Sequence, residues 1–172
     1  MTSDIDYVKT NFKYDKLTKI TGRPNYPLLK KIQQELMANA SSVSSNLGGG
    51  MNGHLGQVVN PVNYTLVDPV PYVEPNHPGS LVIPGGTPNY LRTEMRDDHK
   101  EACRVAREAQ NVRRALTKQL VEAIPDLYLK RFRNNLTNTF TDPVHVLLDY
   151  LFATYDNISP DDLKAEQEKL DG

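Results

Sequence analysis

The sequence predicts an all-α protein: a small helical bundle with one long helix, about residues 87–124, behind an N-terminal arm rich in loops and proline. Three observations carry this reading. No proline or glycine occurs between Pro88 and Pro125, which leaves room for a helix of about 36 residues, roughly 54 Å at 1.5 Å per residue. Apolar residues recur at helical spacing around residues 25–40 and 144–155. Seven of the twelve prolines, from Pro61 to Pro88, crowd into residues 60–88, where no regular element of any length tolerates them.

The arm, residues 1–86, opens its first clear element at Asn25. There a capping Asn and an early proline precede Leu28, Leu29, Ile32 and Leu36, the spacing of an amphipathic helix over about 25–40. Residues 41–56 are dominated by serine, asparagine and glycine and read as a glycine-rich loop. Its Gly48–Gly56 run lacks the Gly-Lys-Ser/Thr ending of a phosphate cradle and is expected to be a tight structural loop. Asn60-Pro61 caps a short helix through Tyr64 and Leu66, and the prolines then impose extended chain as far as Thr87.

Residues 87–172 form the helical domain. On its long helix, Leu91, Ala102, Val105, Ala109, Val112, Leu116, Leu120 and Ala123 make an apolar stripe, and Lys100, Arg104, Arg107, Arg114 and Lys118 a basic one on the opposite side. Pro125 begins a short helix with Leu129 and Phe132 as core candidates, and residues 134–139 form a polar loop. Thr141-Asp-Pro starts the most core-like helix, with Val144, Leu147, Leu148, Leu151, Phe152 and Tyr155 on one arc. Ser159-Pro-Asp-Asp opens a final acidic helix that suits the helix dipole.

Composition narrows the function. The formal net charge of −1 hides a segregation: residues 100–141 hold nine Lys/Arg against four Asp/Glu, or +5, and residues 142–172 hold two against eight, or −6. A basic stretch of this kind suits phosphate backbones. Lys100, Arg104, Arg107, Arg114, Lys118, Lys130, Arg131 and Arg133 are therefore the candidate nucleic-acid-binding residues. One cysteine, Cys103, supports neither a disulfide framework nor a cysteine zinc site, and the four histidines lack metal-ligand spacing. No nucleophile elbow or other catalytic constellation is present. We expect no enzyme activity, catalytic residue, metal or cofactor. With neither signal peptide nor membrane-spanning apolar run, a cytoplasmic protein is expected, with no membrane partner and no small-molecule substrate.

From Lys100 onward the order of motifs is distinctive. An alanine-rich helix reaches Leu116 and Leu120-Val-Glu-Ala-Ile, and after a short helix comes Thr141-Asp-Pro-Val-His-Val-Leu-Leu-Asp-Tyr-Leu-Phe-Ala-Thr-Tyr-Asp-Asn-Ile-Ser-Pro-Asp-Asp-Leu. This resembles the Gag, or capsid, region of copia-type LTR retrotransposons, as in diatoms and other unicellular algae. The loop Leu47-Gly-Gly-Gly-Met-Asn-Gly-His-Leu-Gly and the later His77-Pro-Gly are similar to its upstream part, so the resemblance touches roughly residues 16–170. The sequence departs from that pattern at Asp156, where glycine is usual, and in having no tryptophan. The resemblance implies that 87–172 is a capsid-like domain and that the chain is a structural Gag-like protein which self-assembles and contacts RNA. A reading of another class is a monomeric helical adaptor whose proline-rich stretch is a docking arm.

Overall fold

The structure, a computed structural model, describes residues 10–155. It is helical, with α1 at Tyr26–Ser42, α2 at Pro61–Tyr64, α3 at Asn89–Ala123 and α4 at Val144–Tyr155. Among the described residues the one piece of β pairing is an isolated antiparallel bridge between Arg133 and Phe140. The expected final helix at Ser159 lies outside the described residues.

Each helix begins and ends for a local reason. The Asn25 side chain accepts from Leu28 N–H at 3.1 Å, relieving one unpaired donor of the first turn of α1, and Pro27 sits where no donor is needed. Asn60 does the same for α2 through Asn63 N–H at 2.8 Å. The start of α3 differs from expectation: the helix begins at Asn89, and the Thr87 hydroxyl donates to Pro84 O at 2.6 Å instead of capping. Ile124, in extended geometry ahead of Pro125, ends α3. The expected short helix after Pro125 is two 3₁₀ turns, Asp126–Tyr128 and Lys130–Phe132, interrupted at Leu129 (φ −112°, ψ −1°).

Packing joins what the sequence divided. α1 contacts both α3 and α4, and those two also meet. Leu29, Ile32 and Leu36 of α1 share one core with Val112, Leu116 and Leu120 of α3 and with Val144, Leu147, Leu148 and Leu151 of α4. Phe12, Leu17 and Ile20 join it from the N-terminal side. α1 is thus not part of an arm lying apart from the helices beyond residue 87: it supplies a central wall of the same core. The apolar stripe on α1 has nowhere else to be buried, and each fully buried Leu or Ile contributes about 1.5–3 kcal/mol relative to exposure.

Two buried amides fasten the N-terminal segment. Asn39 accepts from Tyr14 N–H at 2.8 Å and donates to Tyr14 O and to Gln119 Oε1, both at 2.9 Å. Gln119 donates to Tyr14 O at 3.0 Å and Asp15 O at 3.1 Å. Ile20 N–H donates to Ala123 O at 2.7 Å. Backbone with no helical partner of its own is thereby satisfied inside the bundle.

The apolar stripe expected along all of α3 is buried in part. Ala109, Val112, Leu116, Leu120 and Ala123 are buried, together with Ala106, Asn111, Ala115 and Gln119. No residue of Asn89–Val105 is buried, Leu91 and Ala102 are exposed and Val105 is half-buried. The reason is reach: α1 and α4, at 17 and 12 residues against 35, are too short to cover the whole of α3.

Candidate nucleic-acid interface

The glycine-rich loop positions the proline-rich segment. Gly48, Gly49, Gly50 and Gly53 all take positive φ, and at Gly48, Gly49 and Gly53 the neighbouring atoms also leave no room for a Cβ. A Cβ on Gly53 would overlap the carbonyl oxygens of Val43 and Ser41, and one on Gly56 would overlap Tyr72. The loop is a seat for Tyr64, whose hydroxyl donates to Gly48 O at 2.7 Å, and for the Tyr72 ring.

Tyr72 then ties into a buried polar chain. Its hydroxyl lies 2.8 Å from His54 Nδ1, and His54 Nε2 lies 3.3 Å from the Glu108 carboxylate of α3. Gln57 Nε2 donates to Tyr72 at 3.1 Å and to Ala109 O at 2.8 Å. These partners assign His54 the Nε2–H tautomer, donating to Glu108 and accepting from Tyr72. Burial lowers the His54 pKa although Glu108 opposes it, and burial raises that of Tyr72. The neutral hydroxyl donates to His54 and accepts from Gln57. Further along, Glu74 pairs with Arg113, and His99 Nε2 donates to Gly79 O at 2.7 Å. The proline-rich segment is a strap laid against α3.

The eight candidate cations fall into four groups. Lys100, Arg107, Arg114 and Lys118 on α3 and Lys130 beyond it are exposed and make no ion pair among the described residues. Arg104 is 52% exposed but occupied: it donates to Glu101 at 2.7 and 3.0 Å and to Glu108 at 3.2 Å. Its guanidinium lowers the Glu101 pKa. Arg131 stacks over the Tyr150 ring at 4.5 Å, and its hydrogen bond lowers the tyrosine's pKa. Arg133 is structural: it donates to Asp126 at 2.5 Å and Asn138 O at 3.0 Å and lies over Phe140 at 4.7 Å.

Arg133 thereby organises something the sequence did not announce. Its bridge to Phe140 closes the 134–139 loop, with Asn134 Oδ1 accepting from Leu136 and Thr137 N–H. The closed loop sets Phe140 against α3 and leaves a groove of about 350 Å³ lined by Arg113, Arg114, Thr117, Lys118, Val121, Glu122, Thr139 and Phe140. Of these residues, Arg114 and Lys118 alone were legible as site candidates; Phe140 was just the residue after a polar loop.

Among the described residues no three His, Cys, Asp or Glu side chains come together as metal ligands, and no helix is long and apolar enough to cross a membrane. Cys103 Sγ lies 3.6 Å from His99 Nε2. The chain matches no protein-family model, no curated protein and no solved structure.

Proposed function

We propose that this chain is a structural, Gag/capsid-like protein whose copies associate through an uncharged apolar surface and meet RNA with the basic face of α3. The observation that carries the assembly half is the charge content of residues 41–73. Among their 33 residues the one Asp, Glu, Lys or Arg is Asp68, which is buried and accepts from Val70 N–H at 2.8 Å. Over the same stretch Met51 (84%), Val62 (77%), Leu66 (85%), Val67 and Val70 are exposed. Apolar surface free of charge costs little to desolvate and marks association sites.

The RNA half is supported by five exposed cations that form no ion pair among the described residues, a footprint suited to phosphates. The monomeric adaptor reading draws on the exposure of Val73, Leu81 and Val82 along the strap. Sedimentation velocity over a concentration series separates the two. The unmodified chain is expected to self-associate, and Val62→Asp with Leu66→Asp to shift it to monomer while the melting curve stays cooperative. A chain monomeric at every concentration would remove the assembly reading and leave the adaptor in place.

A further inference from the structure

We propose that the groove between α3 and Phe140 seats one unpaired base of single-stranded RNA, with the adjoining phosphates on Arg114 and Lys118. This deepens the reading that the basic face contacts RNA and rests on it. The groove combines two chemistries that phosphate binding alone does not need together. Its lining is mostly apolar, with Val121, Thr117 and Phe140 contributing to it, and it also includes Arg114 and Lys118, one helical turn apart on α3. Both cations are exposed and unpaired among the described residues, so they are available to phosphate.

The other charges around the groove narrow the pose. Arg113 is engaged by Glu74, and Arg133 is held over Phe140 by Asp126 and Asn138, so neither is free for phosphate. Glu122, the one acid of the lining, lies one turn beyond Lys118 on α3 and repels phosphates there, which favours the Arg114 end of the groove. The loop is braced, with Asn134 N–H donating to Thr139 O at 2.8 Å and Asn138 N–H to Asn134 O at 2.7 Å, so the ring is in place before a base arrives.

A paired base cannot use such a lining, because a duplex keeps its bases stacked and offers phosphates and a shallow groove edge. The site therefore discriminates by strandedness and tolerates sequence, since every base has an apolar face.

The test is fluorescence anisotropy with the full chain, a labelled unstructured RNA and a duplex RNA of equal length, at low and moderate salt. Thr117→Met fills the groove with a helix-compatible neutral side chain; Phe140→Ala removes part of the apolar lining; Arg114→Glu with Lys118→Glu reverses its two free cations. Melting curves establish that each variant folds. The unmodified chain is expected to prefer the single strand, and Thr117→Met to lower that affinity roughly tenfold with the duplex unchanged. Phe140→Ala is expected to act in the same direction, and the charge reversal to remove binding to both.

Equal affinity for both RNAs, or a single-strand preference untouched in Thr117→Met and Phe140→Ala, would overturn the groove while leaving the basic-face reading standing. No binding of either RNA at low salt would sink both. If Thr117→Met instead abolished self-association in the centrifuge and left RNA affinity intact, the occupant would be a second copy of the chain and the RNA assignment would fall.

Discussion

Asn39→Ala tests whether the N-terminal segment belongs to the bundle. Asn39 is fully buried on α1, and its side chain makes three hydrogen bonds, two to the Tyr14 backbone and one to Gln119 Oε1. Truncation removes all three. Tyr14 O keeps the Gln119 amide, but Tyr14 N–H and Gln119 Oε1 lose the partner that Asn39 supplied. A buried donor or acceptor left alone costs about 1–3 kcal/mol, so the pair sets a range of about 2–6 kcal/mol. Because Tyr14 is half-exposed and water reaches it, the expected loss is near the lower half, about 3 kcal/mol. For a chain of this length that lowers Tm by about 6–12 °C. Scanning calorimetry reads the shift, and amide hydrogen exchange reads the Tyr14 N–H directly, whose protection should fall more than that of residues deep in α4. A Tm change under about 2 °C with Tyr14 protection unaltered would refute the argument and return residues 10–20 to the status of an appended arm.

Leu148→Ala and Leu151→Ala remove fully buried side chains of α4, and each is expected to cost about 2–5 kcal/mol. Urea melts check it, and unchanged midpoints for both would mean that α4 is not core. Acid should also weaken the fold. Burial lowers the pKa of His54 and of His145 below their ordinary value of 6.5, so the unfolded chain binds protons that the folded chain refuses. Stability is then full above pH about 6.5 and falls as the pH drops below it toward the folded-state values. His54→Gln should flatten this slope below about pH 6.5 in urea midpoints. A slope as steep as that of the unmodified chain would remove His54 from the account.

The sequence by itself determined where the four helices lie and the caps of the first two. Apolar spacing in α1 and α4, the Asn25 and Asn60 caps and the proline-free run of α3 act over a few residues, and such rules are visible wherever they occur. The eight cations were legible as residue types for the same reason. The tertiary structure decided which of them are free. Arg104 is spent on Glu101 and Glu108, neighbours at helical spacing, but Arg133 is spent on a loop closure that no spacing rule announces. Only the fold, likewise, placed Asn39 against Gln119, 80 residues away, and so drew residues 10–40 into one core with α3. It also gave the glycine loop its purpose, since Gly56 is required by the Tyr72 ring and Gly53 by carbonyls at the end of α1. The groove between Phe140 and α3 exists because a six-residue loop turns an aromatic back onto a helix that ended 17 residues earlier. Periodicity describes how a segment folds on itself; where two distant segments meet depends on chain reversals and mutual burial, which no local pattern encodes.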